Sequence, residues 1–243
     1  MHARTFLSTH ALLAMLTAAT LTSCSAADGR TTAVGDKTTV GDKRPSKSAT
    51  TRAQLLSKAE LRALTFQEAD LPEARPGSIP VQDRSAPADG SSFAPASDPD
   101  CQKVHDIRHA TTASTVVSQV INWKDGIYPG GVTLASYDDG EAERLFAELK
   151  RATGSCRTYK GDGWTGAYTS TMKTQKPPEA GDEAVQFREY STVDAGKRDE
   201  LSIVVRTGSV IATYVSLEIG RTPTFPTGPI SKQSERIRDA QDK

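Results

Sequence analysis

From Thr112 onward the chain runs mostly in short β-branched and aromatic stretches, and this pattern restricts its fold more than any other feature. Ser114–Trp123 (STVVSQVINW) and Gly131–Tyr137 (GVTLASY) flank the turn signal Tyr128-Pro129-Gly130-Gly131 and are expected to pair as antiparallel neighbours. Further strands are expected over Ala167–Met172, Ala184–Ser191, Leu201–Arg206 and Val210–Leu217. The last two flank Thr207-Gly208 and read as a hairpin, with Ile203, Val205, Ile211, Val215 and Leu217 apolar enough to be buried in the sheet. One stretch breaks the strand pattern: Ala142, Leu145, Phe146 and Leu149 recur at helical spacing. Asp138 or Asp139 is the expected cap of that helix, Lys150 and Arg151 suit its negative end, and Gly154 can close it.

Upstream, Ala53–Ala63 places Leu55, Leu56, Ala59 and Ala63 on one side of a helix, and Leu71-Pro72 stops any helix because the residue before proline is pushed out of the α region. Asp98-Pro99-Asp100 reads as a helix start, with Cys101, Val104 and Ile107 on the inner side. Arg84–Asp98 reads as an exposed loop, and Ile230–Lys243 as a highly charged helix or a frayed tail. Consecutive antiparallel strands with helices tied to them define the expected class: an α+β domain, an antiparallel sheet with its helices packed on one face.

The N-terminus reads as an address rather than as part of that domain. Arg4 precedes the apolar run Ala11–Leu21, which is too short to cross a bilayer as a stable helix but has the length of a signal-peptide core. Leu21-Thr22-Ser23-Cys24 follows and resembles the bacterial lipoprotein signal, in which a Leu three residues before a Cys marks cleavage and lipidation. Residues 1–23 are therefore expected to be removed and Cys24 to carry the lipid, with acyl chains as the membrane attachment on the extracytoplasmic side. Residues 24–50 read as a lipidated tether: Ser25 to Thr50 contains no aromatic, Leu or Ile and repeats Val-Gly-Asp-Lys at Val34–Lys37 and Val40–Lys43. Such a segment cannot offset its ordering entropy, and as a coil it spans on the order of 25 to 30 Å. The folded domain is expected over residues 51–243.

With Cys24 committed to lipid, Cys101 and Cys156 remain as a pair in an exported, oxidising compartment, the setting in which two cysteines read as a disulfide. Closing a loop of that length stabilises by about 4 kcal/mol in the chain-entropy model. No CxxC spacing favours a metal instead.

Together, a lipoprotein signal, a low-complexity tether, a Cys-led helix, a hairpin, the segment Ala142-Glu143-Arg144-Leu145-Phe146-Ala147-Glu148-Leu149-Lys150 ending near a second Cys, and closing strands resemble the PknH-type extracellular sensor domain over roughly Leu55 to Leu217. That family occurs behind the membrane helix of receptor kinases and as free-standing actinobacterial lipoproteins. The resemblance implies a cleft for an unknown ligand and no enzymatic activity. The kinase-linked domains look stapled by two disulfides, whereas this chain can form one.

No nucleic-acid footprint is expected, since 30 Lys plus Arg balance 30 Asp plus Glu. Trp123, Tyr128, Tyr137 and Trp164 lie near strand ends, where aromatics either line a ligand cleft or close the core. His105 and His109 share a helix face, but no third metal ligand is evident, and a solvated face is the expectation; no metal or other cofactor is assigned. Gly161–Gly166 reads as a tight turn carrying one aromatic rather than a calcium loop. Gly-x-Ser-x-Gly, His-Glu-x-x-His and phosphate-loop motifs are absent, so no catalytic residue is assigned. The sequence thus points to a non-catalytic, membrane-anchored lipoprotein that binds or senses a small-molecule or envelope ligand. A cell-envelope hydrolase or esterase with a dispersed site, and a purely structural lipoprotein, are the alternatives.

Overall fold

The computed structural model describes residues 54–83, 95–163 and 166–243. Cys24, the expected tether and Trp164 lie outside them. In chain order the elements are α1 (Lys58–Ala63), β1 (Val81–Asp83), α2 (Pro99–Arg108), β2 (Thr115–Ile121), β3 (Gly130–Ser136), α3 (Glu141–Ser155), β4 (Thr158–Gly161), β5 (Tyr168–Gln175), β6 (Glu183–Val193), β7 (Gly196–Thr207), β8 (Val210–Ile219) and α4 (Thr227–Gln241). The strands form one antiparallel sheet in the order β1-β2-β3-β8-β7-β6-β5-β4. The expected β2–β3 and β7–β8 pairings both form; Gly208, at φ 57°, supplies the left-handed residue of the second turn.

Local chemistry explains where the helices begin. The Asp98 carboxylate accepts from the backbone N–H of Asp100 and Cys101 at 3.0 and 2.9 Å, and Pro99 occupies the first helical position of α2. Helix α1 is shorter than its apolar spacing predicts because Ser57 and Glu60 form a reciprocal capping box there. Leu55 consequently precedes the helix and is exposed, while Leu56 and Leu61 are buried. Helix α3 is entered through Gly140, its N-cap, at φ 75°, and the backbone carbonyl of Asp138 accepts from Glu141 N–H. Gly154 lies inside α3, which runs on to Ser155. Of the two readings of the charged C-terminal segment the helix is the one that forms: α4 buries Ile230, Gln233, Ser234, Ile237 and Gln241 against the sheet.

The expectation of helices on one face of the sheet is corrected. Adjacent residues of the central strands enter two separate cores: Val117, Leu134, Ile203, Val205 and Ala212 pack with Leu61 of α1 and Ile230 and Ile237 of α4. Val116, Ala135, Val204 and Ile211 pack with Val104 and Ile107 of α2 and Leu145, Phe146 and Leu149 of α3. Neighbouring side chains of a strand point to opposite faces, so α1 and α4 cover one face and α2 and α3 the other. The physical reason is that β7 and β8 are apolar on both sides, and a sheet with two apolar faces needs two covers.

Cys101 and Cys156 are bonded, with Cα atoms 4.9 Å apart, and both are fully buried. The bond joins the first turn of α2 to the end of α3 and holds this pair together on its face.

Candidate functional site

Helix α4 begins at Thr227, and beyond its start β8 runs on without cover on the α1–α4 face. Residues of β8 on this face are Tyr214, in the core, then Ser216 and Glu218, which line the floor of a cleft of about 390 Å³. Its apolar side is Trp123 and Phe225, whose rings meet edge to face at 5.4 Å, with Pro223 and Pro226 beside them. Phe225 stacks in turn against Tyr214 at 5.3 Å, which anchors the wall in the core. The Trp123 backbone is held by a β-bridge to Ala74, and its indole rests on Gly130, where a Cβ would come within 2.7 Å of Nε1. That nitrogen is buried without a hydrogen-bond partner.

The rest of the lining is polar. Glu73, Asp125 and Glu218 contribute carboxylates, and Arg221 reaches both Glu218 Oε2 and the Asp125 carbonyl at 3.1 Å. A flat indole edge, prolines, and hydrogen-bonding groups of both signs fit a small polar ligand that has one apolar side.

Of the four aromatics expected at a cleft, Trp123 alone lines this one among the described residues. Tyr137 is fully buried in the opposite core beneath α3, where burial and then Glu141 push its hydroxyl well above the usual range. Tyr128 is half-buried in the β2–β3 loop and is not part of the lining. Of the expected Gly161–Gly166 turn, Gly163 and Gly166 exchange reciprocal backbone hydrogen bonds, and residues 164 and 165 lie outside the described residues.

The other face holds a buried charge network that has no sequence motif. Glu189 of β6 and Glu200 of β7 stand directly opposite one another in the ladder, and Arg108 of α2 lies between them. Arg108 Nη1 donates to Glu189 Oε2 at 2.6 Å, to Glu200 and to Ser202 Oγ at 3.3 Å, while Arg198 also pairs with Glu200. Glu189 Oε1 accepts from the Tyr159 hydroxyl at 2.5 Å and lies 3.1 Å from His105 Nε2. His105 is thus turned inward, which corrects the expected solvated face for this histidine; His109 is exposed.

Burial raises the Glu189 carboxyl, but the Arg108 charge and the bonds from His105 and Tyr159 outweigh it and hold the group well below the usual carboxylate range. Burial pulls Arg108 down, and Glu189 and Glu200 more than compensate. The Tyr159 hydroxyl is pushed up by burial and by Glu189. Among the described residues the hydrogen-bond partners of His105 are a phenol and a carboxylate that Arg108 already neutralises. Among the described residues no group of three or more His, Cys, Asp or Glu could hold a metal ion, and no helix is long and apolar enough to cross a membrane.

Compared with known proteins, the chain matches no family model and no curated protein.

Proposed function

We propose that the chain is a non-catalytic, lipid-anchored extracytoplasmic protein whose folded unit binds a small polar ligand beside Trp123, in a sensing or scaffolding role. The observation that carries this reading is the cleft: an aromatic wall rooted in the core and a rim of opposed hydrogen-bonding groups. The Leu21-Thr22-Ser23-Cys24 signal supports the anchor, and a buried disulfide is in keeping with an oxidising compartment. The resemblance to the PknH-type sensor domain belongs to the same proposal.

The ligand presents hydroxyls or amides on one side and an apolar plane on the other, as saccharides and short peptides of the cell envelope do. The test is a thermal-shift and tryptophan-fluorescence screen of the protein against peptidoglycan fragments and oligosaccharides. A true ligand raises the melting temperature and changes tryptophan emission, and Thr222→Trp, which places a large side chain in the cleft lining, abolishes the rise in melting temperature. Turnover of any of these compounds would move the reading to the hydrolase class. Mass spectrometry of the membrane-extracted protein tests the anchor separately: acyl groups on Cys24 are expected, and Cys24→Ser removes them.

A further inference from the structure

On the α1–α4 side, helices cover the centre of the sheet, whereas side chains of β4, β5 and β6 on that side are exposed or half-buried. The strand register places Lys160, Lys173, Arg188 and Tyr190 there, and Lys197 at the start of β7 joins them. Three of these cations gather on one ring: Lys197 Nζ lies 3.9 Å from the Tyr190 centroid, Lys173 Nζ 5.8 Å and the Arg188 guanidinium 6.0 Å. The nearest carboxylates are already engaged, Asp199 by Arg188 at 3.1 Å and Glu218 by Arg221. Among the described residues Lys160, Lys173 and Lys197 form no ion pair.

Lys173 and Arg188 are direct partners in the β5–β6 ladder, and like charges directly opposite destabilise a sheet. The same strands show how such a conflict is resolved on the other face, where Glu189 opposes Glu200 and Arg108 supplies the opposite charge. On the open face Asp199 pairs with Arg188 and is also near Lys197, whereas Lys173 faces Arg188 with no ion-pair partner of its own among the described residues. Cations in excess of the carboxylates that answer them inside the fold mark a place where the compensation comes from outside.

The geometry points to an anionic membrane surface as the partner of this face: the side chains of Lys160, Lys173, Arg188 and Lys197 dock on phospholipid head groups. The charges run across four adjacent strands, about 14 Å at the spacing of a sheet, so one small anion cannot meet them all whereas an array of phosphates can. The proposal takes from the anchor reading only that the protein lies at a membrane.

The test uses the unlipidated chain from Ser25 to Lys243, which keeps every described residue, so it is independent of acylation and of the cleft. Sedimentation with vesicles of phosphatidylcholine containing about one-third phosphatidylglycerol should show binding that pure phosphatidylcholine does not give and that half-molar salt abolishes. Each lysine is worth roughly fivefold in partitioning, so Lys173→Gln with Lys197→Gln should weaken binding by roughly 25-fold, whereas Lys232→Gln on α4 should leave it unchanged. The melting temperature of Lys173→Gln should not fall, since the substitution relieves a like-charge pair. Equal binding to both vesicle types, no binding to either, unchanged binding of the double variant, or a lowered melting temperature for Lys173→Gln would each overturn the proposal. Thr222→Trp should leave vesicle binding intact, which separates this surface from the cleft.

Discussion

On the α2–α3 face the cover is attached by a covalent bond and by buried charge, through Cys101–Cys156 and through Arg108 between Glu189 and Glu200. On the α1–α4 face the fully buried contacts are neutral amides, and the ion pairs of α4, Arg236 with Asp70 and Arg238 with Asp182, lie at its more exposed side. Gln233 accepts from the Tyr214 hydroxyl and donates to the Leu64 carbonyl, both at 2.8 Å; Gln119 bonds the Phe66 backbone in both directions; Gln241 accepts from Ser209 N–H and donates to the Thr207 carbonyl. Two covers of one sheet thus answer to different conditions. Proton and thiol concentration act on the buried contacts of the first, whereas the buried amides of the second respond to neither, because an amide neither titrates nor oxidises in the accessible range.

The largest effect is expected for Arg108→Met. It leaves two buried carboxylates facing each other with only Arg198, on Glu200, as a counter-charge, at a cost of about 5 kcal/mol in chemical denaturation. The pH dependence should change with it. In the native protein the Glu189 pKa is held below its ordinary 4.5, so its contribution is complete above that value and is lost as the pH falls through the folded-state pKa. In Arg108→Met the orphaned carboxylates can relieve their repulsion by taking a proton. The deficit of the variant relative to the parent should therefore shrink between pH 7 and pH 4. Reduction of the disulfide comes next, at about 4 kcal/mol, read as a fall in melting temperature of roughly 8 to 16 °C. Gln233→Leu should cost about 2 kcal/mol, since the Tyr214 hydroxyl and Leu64 carbonyl lose their partner inside the core. That last deficit should be the same at pH 4 and pH 7 and with or without reductant; a deficit that follows either condition would abolish the distinction between the two covers.

What could be read in the sequence was local. Asp98-Pro99 caps α2 as expected, the β2–β3 and β7–β8 pairings follow their turn residues, and the two cysteines bond. Strands β1 and β4 escaped because runs as short as Val81–Asp83 and Thr158–Gly161 carry no periodic signal. The sequence leaves open whether the charged C-terminus packs as a helix or frays, because the buried stripe of α4 includes Gln233, Ser234 and Gln241, which hydropathy counts as surface. The Arg108 network joins residues 81 and 92 positions apart, beyond the reach of any spacing argument. One signal was present: in β6, Phe187 and Glu189 alternate onto the same face, so a glutamate follows a buried phenylalanine at strand period and must find a cation there. The cleft was legible only as one tryptophan, since its floor and far wall come from Ser216 to Pro226, which no aromatic pattern marks.

The strand order also governs when this chain can fold. Strands β1–β3 and β4–β6 are two three-stranded halves, and α3 carries the chain from one to the far edge of the other, leaving a gap two strand positions wide between β3 and β6. The hairpin β7–β8 fills the space between the halves, and it is made of the last strands of the sequence. A chain emerging N-terminus first therefore holds two bare edges, at β3 and β6, until residue 219 is free, and α4 can close over the centre only after that. Assembly is obligatorily late, dominated by contacts between distant parts of the chain, and any product shortened before β8 is two unjoined half-sheets with open edges rather than a smaller version of the protein.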